Sequence, residues 1–132
     1  MSDGVIAAGS SQGTAGAIAR AVADGSLTAR SVADDLIATI ADREPAVRAL
    51  AAFHPDGLRA QAAAADAAQP RALSGVPVVV KDVIQTRDLP TAHNTPRYAG
   101  VQGGLDAACV DRLRQVGALI VSGDLVERPG DA

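Results

Sequence analysis

Apolar residues recur along this chain in two rhythms, and the change from one to the other divides it. The amino-terminal part has helical spacing. Ile18 and Val22 lie one turn apart in an alanine-rich stretch, which predicts a short helix over residues 15–23, ended by Gly25. Val32, Leu36 and Ile40, with Ile37 beside them, form the buried stripe of a second helix. Thr28 is suited to cap its start, and Pro45 is expected just past its end. Asp56 is expected to cap a third helix that runs through the alanines to about residue 68. The even composition of that helix suits packing against a flat surface.

The rhythm then breaks. Ser74-Gly75-Val76-Pro77-Val78-Val79-Val80-Lys81-Asp82 is a nearly continuous apolar run leading into a lysine and an aspartate. Such a run predicts a strand over residues 76–80 buried on both faces, as in a parallel sheet. Pro77 sits near its start, where a missing N–H costs least. Residues 83–104 carry Pro90, Pro96, Gly100, Gly103 and Gly104, which reads as a loop with one short hairpin. Asp106 is placed to cap a further helix with Ala107, Val110, Leu113 and Val116 on its apolar side. Gly117 falls at the C′ position of that helix, and Leu119-Ile120-Val121 reads as a second core strand. Strand, helix and strand predict a right-handed βαβ unit with parallel pairing. The fold class is therefore α/β: amino-terminal helices followed by a βαβ unit. One domain over residues 14–132 follows a Gly/Ser-rich flexible arm over residues 1–13.

Composition adds one structural expectation. Of the 132 residues 48% are hydrophobic, but much of that is alanine, and Phe53 and Tyr98 are the only aromatic side chains of the Phe, Tyr and Trp kind. Alanine buries little area, so the core is expected to be thin and the sheet edge open to self-association or a partner chain. The net charge of −3 is scattered, with no basic stripe or aromatic platform for nucleic acid. No apolar run approaches membrane-spanning length, and the amino terminus lacks the pattern of a secretory signal. Cys109, the single cysteine, cannot form an internal disulfide, which fits a reducing cytoplasm. Its place on an apolar helical face reads as a small core residue.

Candidate chemistry centres on Lys81, expected at the carboxyl end of a core strand, where open α/β sheets place their sites. Partial desolvation there would lower the lysine pKa and make it a general base. The plainer alternative is a strand-end lysine that reaches into solvent. Asp82 reads as structural, either anchoring Lys81 or capping neighbouring backbone. His93 reads as a surface or turn histidine, with ligand contact as the alternative, and His54 before Pro55 as part of a turn. No His, Cys and carboxylate cluster has metal-ligand spacing, and no phosphate-binding glycine motif or other cofactor signature is present. Gly9-Ser10-Ser11-Gln12-Gly13 looks like a nucleophile loop, but no strand precedes it, so it reads as part of the arm.

The stretch Leu73-Ser74-Gly75-Val76-Pro77-Val78-Val79-Val80-Lys81-Asp82 closely resembles the lysine-bearing segment of the amidase signature family. Leu89-Pro90-Thr91, Tyr98-Ala99-Gly100, Asp106-Ala107-Ala108-Cys109-Val110-Asp111-Arg112-Leu113-Arg114 and Gly117-Ala118-Leu119-Ile120-Val121 follow in that family's order. Asp24-Gly25-Ser26-Leu27-Thr28-Ala29 and Ala63-Ala64-Ala65-Asp66 are similar to its amino-terminal portion, so the resemblance covers roughly residues 15–123. It implies the start of a mixed-sheet fold and hydrolysis of a carboxamide C–N bond through an acyl-enzyme. The family's nucleophile is a serine, assisted by a second serine in a cis peptide and by a lysine. Only the lysine maps onto this chain, as Lys81, in the role of catalytic base. The family's Gly/Ser-rich nucleophile loop lies further downstream than Ala132, and Asp124 and Leu125 stand where the family carries lysine and threonine. The expectation is an amino-terminal part of an amidase, truncated before the nucleophile loop and inactive alone. It would act on a small-molecule amide only when completed. Two alternatives are a non-catalytic interaction subunit or split-amidase half, and one component of a tRNA-dependent amidotransferase.

Overall fold

Two threonines start the amino-terminal helices. Thr14 Oγ1 accepts the Ala17 N–H at 3.1 Å at the head of α1 (Ala15–Asp24), and Gly25 closes that helix in the left-handed conformation, φ 82°. Thr28 Oγ1 accepts the Ser31 N–H while Ser31 Oγ accepts the Thr28 N–H, a reciprocal pair that heads α2 (Ala29–Val47). The computed structural model describes residues 13–93, 95–98 and 100–124. The arm expected over residues 1–13, with the Ser10-Ser11 pair, falls outside the described residues except for Gly13.

Pro45 lies inside α2 rather than past its end, which corrects the boundary read from sequence. It falls in the last turn, where a missing N–H removes a single helical bond, and the helix continues to a left-handed Arg48 whose N–H donates to the Glu44 carbonyl at 2.8 Å. Leu50-Ala51-Ala52-Phe53 then forms β1 (Leu50–Phe53), an element the helical rhythm conceals. A short strand with two alanines carries too little alternation to register. In α3 (Pro55–Ala67), His54 occupies the cap position, Pro55 starts the helix and Asp56 lies within the first turn. Asp56 is therefore not the cap; the missing N–H and fixed φ of proline suit the first helical position instead.

The strand after the apolar run is β2 (Pro77–Lys81), and α4 (Ala108–Gln115) leads into β3 (Leu119–Asp124). The sheet order is β1-β3-β2, with β3 central, parallel to β2 and antiparallel to β1. Successive side chains of β3 feed opposite cores. Leu119 and Val121 pack with Ala29, Ala33, Leu58 and Ala62 under α2 and α3, whereas Ile120 packs with Val80 and Val110 under α4. Ile18 of α1 joins Val32 and Val76 in a third cluster. The apolar run predicts a β2 buried on both faces, but among the described residues β2 is an edge strand, with Val80 buried and Val79 49% exposed. The run has the same look in either case, because sequence does not record what lies across the edge. Residues 83–104 hold a short 3-10 turn (Pro96–Tyr98) and, among the described residues, no hairpin. Pro90 and Pro96 supply no N–H for such a ladder.

Gly117 has two separate reasons to be glycine. α4 closes with Ala118 N–H on the Leu113 carbonyl (3.1 Å) and Gly117 N–H on the Arg114 carbonyl (3.0 Å), with Gly117 at φ 92°. A Cβ there would also stand 2.8 Å from Ser74 Cα. Backbone bonds from Leu73 to Val116 (2.8 Å) and from Gly75 to Gly117 (3.2 Å) join the starts of β2 and β3 at this contact. Cys109, expected in the core, is exposed; α4 buries Val110 instead. Between α2 and α3, Asp34 bridges Arg30 and Arg59. The Arg30 guanidinium first, and Arg59 second, hold its carboxyl below the ordinary carboxylate range.

At Ile120, beyond the end of β1, a side chain takes the place of a strand. Gln61 Nε2 donates to the Ile120 carbonyl and Gln61 Oε1 accepts the Ile120 N–H, both at 2.9 Å. Gln61→Ala strands both backbone groups, and an unsatisfied buried group costs about 1–3 kcal/mol. We expect the urea midpoint to fall with unchanged cooperativity; an unaltered midpoint would show that water replaces the amide at no cost.

Candidate active site

Lys81 closes β2, beside Asp124 in the parallel register, and its side chain is exposed. Among the described residues β2 lies at the edge of the sheet, and nothing there buries the end of the strand. The Lys81 carbonyl accepts the Ile84 N–H at 2.9 Å, turning the chain away from the sheet.

Asp82 is only 4% exposed and organises the loop after the strand. Its Oδ1 accepts the Ala92 N–H at 3.0 Å and its carbonyl accepts the His93 N–H at 3.1 Å, so the loop returns to the strand end beside Lys81. The structural role read for Asp82 is thus a backbone clamp. Thr86 and Thr91 are buried in the same loop, with Leu89 between them. His93, at φ 51°, sets its ring edge-on to Tyr98, with centroids 6.0 Å apart. The two line an open cleft of about 510 Å³ together with Gln85, Thr91, Val101 and Gly103. His93 is an exposed turn residue, as expected, with an aromatic partner that its sequence position does not reveal.

Sequence spacing makes Asp106 the cap of α4, but Ala107 holds that position without a side-chain bond. The Asp106 carboxylate turns back into the protein. It accepts the Arg87 N–H at 2.8 Å and pairs with Arg114 Nε at 2.8 Å, with side-chain exposures of 5% for Asp106 and 10% for Arg114. Arg114 also reaches Asp88 at 2.8 Å and Gln61 Oε1 at 3.1 Å. This buried guanidinium ties the loop after Lys81 to α3 and, through Gln61, to β3. Sequence reasoning missed it. The available signal was an arginine one residue beyond the apolar position Leu113, on the same helix as Val110. Among the described residues no group of His, Cys, Asp and Glu is arranged to hold a metal ion, and no helix is long and apolar enough to cross a membrane.

Residues 31–123, which contain Lys81, Asp82, Asp106 and Arg114, match the family model described as Amidase. A glutamyl-tRNA(Gln) amidotransferase subunit from Roseiflexus sp. (strain RS-1) is 37% identical over 101 residues, covering 74% of this chain and 21% of the relative. The subunit of the same name from Oleidesulfovibrio alaskensis is 39% identical over 107 residues, covering 79% and 22%. The chain thus spans about a fifth of the length of these curated relatives. Among solved structures, an inhibitor-bound chain described as part of a vestigial protein complex revealing the origins of an s-triazine catabolic enzyme superposes with TM-score 0.78. That match has 25% identity and covers 84% of this chain and 26% of the other. Native peptide amidase from Stenotrophomonas maltophilia shares the fold with TM-score 0.78 over 86% of this chain and 25% of its own, at 23% identity. The β2–α4–β3 unit and the helices before it are an amino-terminal amidase segment, and the chain belongs to the amidase family.

Proposed function

We propose that this chain contributes the lysine-bearing segment of an amide-hydrolysing centre, with Lys81 as general base. The serines come from polypeptide outside these 132 residues, either in continuity with it or as a second chain. The observation that carries this reading is the placement of Lys81 at the carboxyl end of a strand parallel to β3, over a loop that Asp82 clamps. A docked serine-bearing segment would cover Lys81 and supply the desolvation that favours its neutral form. The amine then takes the nucleophile's proton through the bridging serine hydroxyl and returns it to the leaving amine. Backbone N–H groups of the glycine-rich loop hold the tetrahedral oxyanion. The substrate class is a small-molecule carboxamide, and no step calls for a cofactor.

The test is a comparison of the chain alone with the chain completed by a serine-bearing amidase segment. Alone, it should hydrolyse no simple amide and should resist a fluorophosphonate probe, because the acyl-accepting serines are missing. The completed assembly should do both: turn over the amide and take the probe. Stoichiometric labelling of Ser10 or Ser11 in the chain alone would overturn this reading. A second reading rests on the relatives' printed name: a role in a glutamyl-tRNA(Gln) amidotransferase. It predicts glutamine hydrolysis coupled to a charged tRNA, where the first predicts turnover of a free amide without tRNA.

A further inference from the structure

The loop after Lys81 builds a corner out of two rings. His93 and Tyr98 stand edge to face, with centroids 6.0 Å apart and planes at 79°, on the wall of the cleft of about 510 Å³. That volume lies within the range of roughly 300–1,000 Å³ common for small-molecule sites. Backbone bonds inside residues 82–107 give the cleft its shape. Thr91 N–H donates to the Val101 carbonyl at 3.1 Å, Val101 N–H to the Tyr98 carbonyl at 3.0 Å, and Ala107 N–H to the Gln85 carbonyl at 2.9 Å. The Asp82 carbonyl accepts the His93 N–H at 3.1 Å, which hangs the corner from the residue next to Lys81. The walls are thus set from within the loop, whatever polypeptide lies beyond it.

The walls differ in chemistry. A third aromatic ring can lie face-on to one ring of the corner while its edge meets the other, a geometry that contributes beyond buried area alone. Val101 adds apolar surface to the lining. Gln85 supplies a carboxamide, which offers a donor and an acceptor together and makes no hydrogen bond among the described residues. It lies so close to Gly103 that a Cβ on residue 103 would collide with Gln85 Nε2. Glycine at 103 is what leaves room for that amide. His93 holds φ 51°, a left-handed conformation that a non-glycine residue keeps only where its surroundings fix it, as they do at ligand clamps.

We propose that this cleft takes the ring of an aryl carboxamide, with His93 and Tyr98 packing the ring and Gln85 hydrogen-bonding the amide. This deepens the reading of Lys81 as general base and rests on it for turnover, but not for binding. His93 is then a specificity-determining residue with no share in proton transfer. An aliphatic amide of equal size fills the same volume but makes no ring–ring contact.

Benzamide and cyclohexanecarboxamide are probes of matched size that differ in that contact. Tyr98 is the only tyrosine, and His54 and His93 are the only histidines, so their ring resonances can be followed one by one in proton NMR. In the unsubstituted chain benzamide should give saturable shifts at Tyr98 and His93, with none at His54 at the head of α3. It should bind about 2–10-fold more tightly than cyclohexanecarboxamide, the range of an aromatic pair. His93→Asn removes the ring, tolerates the same φ, and should bring that ratio to about one. Gln85→Leu keeps the size of the side chain and should weaken both probes alike. In the assembly completed by a serine-bearing segment, kcat/KM should favour benzamide by the same ratio, lost in His93→Asn through KM rather than kcat. The absence of saturable shifts, equal affinity for the two probes, or unaltered binding in Gln85→Leu would overturn the proposal. So would a Tyr98 that stops responding to benzamide once the serine-bearing segment is added, since that fills the cleft with protein. Benzamide binding with no amide turnover in the completed assembly would end the role of Lys81 and leave the cleft standing; turnover without an aryl preference would do the reverse.

Discussion

In an assembly that hydrolyses an amide, Lys81→Ala should lower kcat/KM by about 10²–10⁴-fold, the usual contribution of a positioned general base. The side chain is exposed in the single chain and fills no core, so the variant should fold and assemble as before. Its neighbours are backbone-held: Asp82 grips Ala92, and the Lys81 carbonyl grips Ile84, with no demand on the amine. Lys81→Arg separates base from charge. Guanidinium stays protonated at any working pH, so arginine keeps the positive charge and most of the reach but takes up no proton. It should be nearly as inactive as alanine. Near-normal turnover of the arginine variant would make Lys81 a charge or packing element and would end the proposed role.

The elements legible in the residues are those whose signals are local. Thr28, Gly25 and Gly117 each satisfy a helix end by their own chemistry, and each stands where its type implies. The run ending at Lys81 is a strand, and its parallel pairing with β3 follows from the intervening helix. The misreadings share a cause. Asp106, Asp56 and Pro45 are residue types that mark helix boundaries statistically, yet Asp106 has a buried arginine available and Pro55 can start α3 unaided. β1 escapes a sequence reading because its partner β3 lies far along the chain, and a strand with two alanines declares itself only through pairing. For the candidate site, the position of Lys81 is legible and its exposure is not. Exposure depends on what lies across the edge of β2, which periodicity does not encode. Arg114 is hidden for a related reason: it reaches Gln61 across 53 residues of sequence.

Replacing Arg114 should cost more stability than any surface change in this chain. Its side chain is 10% exposed, pairs with an Asp106 side chain that is 5% exposed, and also binds Asp88 and Gln61. Arg114→Met keeps most of the apolar stem but leaves the buried Asp106 carboxylate with only the exposed Arg87 guanidinium, 3.8 Å away, in place of the 2.8 Å pair with Arg114. Breaking one side of a buried pair costs about 3–5 kcal/mol, chiefly from the stranded charge. A domain of this size has about 5–15 kcal/mol in total, so the loss is a large share. Arg114→Lys retains charge but not the planar fork that serves Asp106, Asp88 and Gln61 together, and should fall between the two. The double variant Arg114→Met/Asp106→Leu removes the stranded charge and should recover part of the loss, which a double-mutant cycle reads as coupling. The damage should also be local. Residues 82–106 should lose amide protection before β3 does, because Arg114 is the tie that holds the loop behind Lys81 against α3. A shift below about 1 kcal/mol, within the range of an exposed pair, would show that this cluster is solvated and does not anchor the loop.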